Sequence, residues 1–253
     1  MFVFGLVLTG GAMIGCTEER ADVAQIAITT HDFSFEAPSS APGGTVRITV
    51  DNQGTEPHQV ELVRVRRGAD QDGVVAAVLR MDPAALNSLV TYHGGPNAVP
   101  PGEQRTTITE LEPGRYVMLC FVAAPDGLLH VHKGMVGAIE ITEPEASGTT
   151  WSPPQAPLEV ELDDYDFVVA GELTPGTHLI AVENVGSEPH ELRITSGGPA
   201  GGSSTISPGE RTWVELVVEP GIYQFTCFVP SSERGALHSQ LGMTTTLTVD
   251  EPP

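Results

Sequence analysis

The chain has 253 residues, and its Lys+Arg 12 against Asp+Glu 33 leave a formal net charge of −21 at pH 7. That surplus repels phosphate backbones and anionic headgroups, so nucleic acid and a bare anionic membrane surface are excluded, and a protein with a basic face is the electrostatic match. Gly 28 and Pro 21 among many Val and Thr suit short strands broken by turns, and three cysteines cannot make a fully paired disulfide framework.

Residues 1–16, MFVFGLVLTGGAMIGC, form an apolar run too short to span a bilayer and suited to a signal-peptide core. Met13 to Cys16 resemble the lipobox of bacterial lipoproteins, which implies export and a lipidated Cys16 heading the mature chain; an ordinary cleaved signal peptide is the alternative. Residues 17–23 then read as a polar tether. Strand character starts at Ala24 to Thr29 and continues through His31 to Phe35, where polar and apolar residues alternate. Pro42 to Gly44 marks a turn before a strand over Thr45 to Val50. The turn sequence Asn52 to His58 follows, and Gln59 to Val65 resumes as strand. Between Arg66 and Leu89 the Ala and Leu residues adopt helical spacing interrupted by Pro83, which predicts two short helices inserted in a β domain. Gly94 to Ala98 and Pro100 to Gly102 read as loop. Arg105 to Ile108 is a strand, Glu112 to Gly114 a tight turn, Arg115 to Phe121 the strand that delivers Cys120, and Val136 to Thr142 the closing strand. Residues 144–156 are rich in Pro, Ser and Thr and read as an extended linker, which makes 24–143 and 157–250 two domains.

The second domain repeats the first. Tyr116 to Met135 (YVMLCFVAAPDGLLHVHKGM) returns as Tyr223 to Met243 (YQFTCFVPSSERGALHSQLGM), Asp32 to Phe35 as Asp164 to Phe167, and Asn52 to His58 as Asn184 to His190. Pro101 and Pro208, Glu112 and Glu219, and Cys120 and Cys227 all stand 107 positions apart. His58 and His190 are 132 apart, so the first copy holds an insertion between its upstream His and its Cys, at the segment predicted helical. Each copy presents one Cys, one His and one Met in that order on one loop, with a second His upstream. A soft thiolate, two imidazoles and a thioether form the donor set of a blue-copper electron-transfer site.

Short strands with Gly/Pro turns in each half predict an all-β chain of two tandem antiparallel Greek-key β-sandwiches, the first carrying a short helical insertion. With the loop motifs above, each half resembles a cupredoxin, the family of plastocyanin-like blue-copper domains. The resemblance implies one copper centre per domain: His58, Cys120, His130 and Met135 in the first, and His190, Cys227, His238 and Met243 in the second. It also implies a planar His-Cys-His arrangement in which the two methionines tune the potential. The sequence departs from familiar members in placing nine residues between Cys120 and His130, and ten between Cys227 and His238. His132 is a rival to His130; its aligned position in the second copy is Gln240, whereas His130 aligns with His238. The implied function is an exported copper protein that passes electrons to a redox partner, touching the membrane only through its lipid anchor. The alternative is a metal-free or copper-buffering interaction module on the cell surface. An enzyme is not expected, because the resembled oxidases and nitrite reductases need additional histidines, as repeated His-x-His pairs and a His beside the ligand Cys, whereas Cys120 is flanked by Leu119 and Phe121, Cys227 by Thr226 and Phe228, and only His130-Val-His132 makes such a pair.

Overall fold

The structure, a computed structural model, describes residues 23–145, 151–196 and 201–251. Cys16, most of the tether and part of the linker lie outside the described residues. The first half runs β1 (Ala24–His31), β2 (Ser34–Glu36), β3 (Ser40–Pro42), β4 (Gly44–Asn52), β5 (Glu61–Val65), α1 (Gln71–Leu79), α2 (Pro83–Leu89), β6 (Val90–Tyr92), β7 (Gln104–Leu111), β8 (Gly114–Leu119) and β9 (Val136–Thr142). The second runs β10 (Leu158–Asp163), β11 (Asp166–Gly171), β12 (Gly176–Asn184), β13 (His190–Ser196), β14 (Gly201–Ile206), β15 (Arg211–Val218), β16 (Gly221–Thr226) and β17 (Thr244–Val249).

Each half packs two sheets face to face. Strands ordered β2-β1-β4-β7 cover β3-β9-β8-β5-β6, and β11-β10-β12-β15 cover β14-β13-β16-β17. The sheets are mixed rather than wholly antiparallel, because β1 lies parallel to β4 and β10 parallel to β12. Alternation sets the faces: Val46, Ile48 and Val50 of β4 are fully buried, and they meet Tyr116 and Met118 of β8 in one core. A second core gathers Leu158, Leu162, Ile180, Phe225 and their neighbours.

Two features differ from the expected local structure. The stretch His31 to Phe35 is a hairpin rather than one strand, reversing at Asp32 and Phe33 between β1 and β2 with Phe33 at φ +67°, and Tyr165 repeats it at φ +69°. Period-2 alternation runs straight through so tight a turn, and the pattern therefore cannot announce it. The linker also does more than span. Trp151 stands edge-on to Trp213, with ring centroids 4.9 Å apart at 84°, and with Ala156 it packs on Ile108 and Ala181.

The halves join along two seams. β7 and β15, equivalent strands of the repeat, pair antiparallel and fuse their sheets into one of eight strands. Thr107 faces Val214, its own counterpart 107 positions on, so a local two-fold relation passes through that pair. The second seam is the segment expected to be loop. Gly94 N–H donates to Thr205 O (2.8 Å), Ser204 N–H to Gly95 O (2.8 Å) and Ser207 N–H to Tyr92 O (3.0 Å), which stitches residues 92–95 to β14 and its end.

The insertion is built as predicted. Asp70 caps α1 by accepting from Gly73 N–H, Asp82 caps α2 by accepting from Ala85 N–H, and Pro83 occupies the first turn. Val74, Ala77, Val78 and Leu86 then bury against Val63, Val117, Leu119 and Val131, so the helices rest on the back of the sheet that carries Cys120. Among the described residues no helix is long and apolar enough to cross a membrane.

Gly95 sits at φ +120°, where a Cβ would lie 2.2 Å from Val60 O. Gly95→Ala is expected to destabilise the chain by roughly 2–4 kcal/mol. Denaturant unfolding measures this, and an unchanged midpoint would show that the seam carries no such constraint.

Candidate metal centres

Local folding brings the first upstream histidine into place. The Asn52 carboxamide accepts from Gly54 N–H (2.9 Å) and donates to Glu56 O and Val99 O (both 2.8 Å). His58 then pairs its own backbone with Val99 in both directions, at 3.0 and 2.7 Å. Asn184 repeats the turn, accepting from Gly186 N–H (3.0 Å) and donating to Glu188 O (2.9 Å) and Ile206 O (2.8 Å).

The long Cys-to-His loops close on themselves. Ala123 bridges Leu129, Gly127 N–H donates to Ala124 O, and the chain returns with His130 N–H on Val122 O and Val131 N–H on Cys120 O, both at 2.9 Å. In the second copy Pro230 bridges Leu237, His238 N–H donates to Val229 O (2.9 Å) and Ser239 N–H to Cys227 O (2.8 Å). The extra residues form a small hairpin outside the site, so loop length leaves the Cys–His distance short. A short 3-10 helix then turns at Gly134 (φ +94°) or Gly242 (φ +119°), and Met135 and Met243 follow with N–H donating to the O of His130 and His238 at 3.0 Å. Both methionines are fully buried.

The structure gathers His58, Cys120 and His130 into one group and His190, Cys227 and His238 into another, with all ligand atoms of a group within 4.8 Å of one another. The two Nδ1 atoms are 3.0 Å apart in the first group and 2.9 Å in the second. Cys120 Sγ is 3.5 Å from His130 Nδ1, and Cys227 Sγ is 3.5 Å from His238 Nδ1 and 4.0 Å from His190 Nδ1. All six residues have zero exposure, and both cysteines are unpaired. His132 stands outside the group and is half-buried.

The outer ring nitrogens face carboxylates. His130 Nε2 is 3.0 Å from Glu56 and His58 Nε2 is 3.4 Å from Asp32; His190 Nε2 is 3.0 Å from Asp164 and His238 Nε2 is 3.4 Å from Glu188. At His58, His130 and His190 the carboxylate bonded to Nε2 favours the tautomer that carries its proton there, which leaves the Nδ1 lone pair facing inward for a metal, whereas His238 Nε2 makes no hydrogen bond to Glu188. Phe33 and Tyr165, the positive-φ turn residues, set their rings edge-on to His130 (5.1 Å) and His238 (5.2 Å). Backbone N–H groups of Gln59 and Glu191 donate to the two sulfurs at 3.5 and 3.4 Å. The sequence reading missed these supporting residues, although their signal was present: Asp32/Asp164 and Glu56/Glu188 recur in both copies as the ligands do.

Burial governs the protonation of the donors. It pushes the Cys120 thiol up to about 11 and raises Cys227 further. Burial also lowers His58, helped by the neighbouring His130, lowers His190, and with His190 beside it takes His238 down to about 4. A soft donor set of two neutral imidazoles and a thiol that ionises on binding fits one copper ion per group, up to two in the chain.

Two pH effects follow. Metal loading is expected to release one thiol proton per centre, so affinity rises about tenfold per pH unit near neutrality; uptake followed in weakly buffered dye solution measures it, and proton-free uptake would exclude thiolate ligation. Asp32 lies at about 2 because the Thr55 hydroxyl, the N–H groups of Thr55 and Glu56, and His58 bond its charged form. Asp164 reaches about 2 because Ser187 and His190 outweigh its burial. These folded values are depressed, so their stabilisation is complete above the ordinary carboxylate range near 4 and is lost as pH falls towards about 2. Asp32→Asn and Asp164→Asn are expected to lower the melting temperature at pH 7 and leave it nearly unchanged at pH 2.

No family model and no curated protein matches the chain. Similar solved structures include dithionite-reduced auracyanin from Roseiflexus castenholzii, 22% identical, covering 47% of this chain and 96% of its own, with TM-score 0.34. A copper nitrite reductase from Nitrosomonas europaea is 15% identical over 91% of this chain and 95% of its own, TM-score 0.28, and a multicopper oxidase 17% identical over 89% and 88%, TM-score 0.27. The last two correct the expectation that this chain is not an enzyme: chains named as enzymes align along nearly the whole tandem. The residues flanking Cys120 and Cys227, and the single His-x-His pair, speak only to particular placements of additional histidines, which is too narrow a ground for excluding catalysis. This chain folds as two tandem cupredoxin-like β-sandwiches, each holding a buried His–Cys–His group that fits a copper ion.

Proposed function

We propose that the chain is an exported copper-binding electron-transfer protein with one type 1-like centre in each domain, 24–143 and 157–250. His58, Cys120, His130 and Met135 hold the first ion, and His190, Cys227, His238 and Met243 the second. The observation that carries this reading is the buried pair of Nδ1 atoms beside a sulfur, present twice, with every outer imidazole nitrogen facing a carboxylate. Copper held there supplies a one-electron couple with strong covalent character to the cysteine sulfur.

The protein's own groups prepare that couple. Zero exposure of the donors keeps water from the site, and packing on both sides limits rearrangement between oxidation states. The N–H groups of Gln59 and Glu191 draw charge from the sulfurs, whereas Glu56, Glu188, Asp32 and Asp164 make the imidazoles stronger donors and favour the more oxidised state. The thioethers of Met135 and Met243 would act in the other direction. The surplus of acidic residues suits a redox partner with a basic docking face. Export and anchoring through Cys16 belong to the same reading and rest on the signal-like segment.

Titration with Cu(II) is expected to give an intense thiolate-to-copper visible band and a narrow-hyperfine EPR signal at two ions per chain. Cys120→Ser and Cys227→Ser should each remove about half of the band. Absence of the band, with no tightly held metal in protein as isolated, would refute the copper reading. In a Cys227→Ser background, Glu56→Gln is expected to raise the potential of the remaining centre, as voltammetry reads; a lowered potential would reverse the role assigned to the carboxylate.

A further inference from the structure

A cleft of about 530 Å³ opens between the halves, within the size range of small-molecule sites. The helical insertion, present only in the first copy, supplies one wall through Ala77, Val78, Met81 and Leu86. The other walls come from equivalent positions of the two Cys-to-His loops, Phe121 with Leu129 and Phe228 with Leu237. The cleft therefore straddles the relation between the copies, and the insertion closes a side that duplication alone would leave open.

Four of its polar groups come in equivalent pairs, Gln59 with Glu191 and Glu61 with Arg193, and Asp82, Asn87, Tyr92 and Thr205 add others. Glu61 is 1% exposed; its Oε2 accepts from Thr205 Oγ1 (2.7 Å) and N–H (3.2 Å), while Oε1 has no partner. Arg193 donates through Nη2 to Gln59 (2.7 Å) and lies 3.7 Å from Glu191, while its Nε has no partner. A buried polar atom left unpaired costs about 1–3 kcal/mol; with the Glu61 carboxyl neutral and its Oε2 accepting twice, the proton lies on Oε1, so both orphans are donors and call for a ligand that supplies acceptors. A cationic head would meet the Arg193 guanidinium, and an anionic head would meet Glu191. Burial, with the charge of Glu191, raises Glu61 well above the carboxylate range, so it offers no full charge to attract a cation.

We propose that this cleft binds an uncharged aromatic molecule, of about the size of a bicyclic carboxamide, whose polar end accepts from both Glu61 and Arg193. The aromatic body lies among Phe121, Phe228 and Leu86. Because the N–H groups of Gln59 and Glu191 hold the two sulfurs, the occupant sits one residue away from both candidate metal centres. Binding itself does not depend on the metal.

Calorimetric titration of the full chain, both metal-free and copper-loaded, with 2-naphthamide, 2-naphthoate and 2-naphthylmethylammonium tests this. The amide is expected to bind once per chain, about tenfold or more tighter than either charged analogue. Ala123 is exposed and lines the cleft, so Ala123→Trp is expected to abolish binding with an unchanged melting temperature. Glu61→Leu should weaken the amide about tenfold and leave the charged analogues unaffected. Equal binding of a charged analogue, no saturable binding of the amide at millimolar concentration, or full binding by folded Ala123→Trp would each overturn the proposal. The metal-free arm keeps its failure distinct from a failure of copper binding.

Discussion

One backbone hydrogen bond in each half, from the residue after the second histidine to the carbonyl of the cysteine, is what the site depends on. Val131 to Cys120 and Ser239 to Cys227 bring together side chains that long loops separate along the chain. The hairpin of each loop removes the intervening residues from the ligand side, and the glycine after the 3-10 helix turns the chain back towards the closing strand. The histidine's own N–H, on Val122 O in the first half and on Val229 O in the second, closes the same return, so the imidazole is carried inward.

The same site shows how much of a candidate metal centre lies outside its candidate donors. Glu56 and Glu188 sit on the turns that present the upstream histidines, while Asp32 and Asp164 reach those turns from the β1–β2 and β10–β11 reversals, so the groups that order the turn also face the rings. Asp32 and Asp164 illustrate this economy. Each bonds the backbone of the turn that follows and faces the ring of the histidine beyond it.

Duplication supplied two sandwiches, and the seams made them one body. Pairing β7 with its counterpart β15 leaves neither as a free edge, which removes the hazard of an unpaired strand. The second seam brings β14 to residues 92–95 and lays Arg193 against Gln59, so groups adjacent to one cysteine touch groups adjacent to the other. Glu61 and Arg193 occupy equivalent positions of the repeat, an acid in one copy and a base in the other. The copies have thus diverged at their shared boundary while keeping their donor sets.

Much of this was legible in order along the chain. The repeat of Cys, His and Met, the recurring Asn-x-Gly turn before His58 and His190, and the capped helices of the insertion are local signals, because each depends on residues close in sequence. The turn at Phe33 escaped because alternation is blind to a tight reversal. Residues 94–98 read as loop because their partner strand lies more than a hundred positions away. The sequence by itself determined two β-sandwich halves, the His and Cys residues that the structure gathers and the place of the insertion, since periodicity, turn chemistry and repetition are written locally. Only the tertiary structure decided that the linker packs on the fused sheet, that Glu56 and Glu188 face the ligand rings, and that a cleft lies between the halves. Those contacts join residues whose distance in space has no counterpart in their distance along the chain.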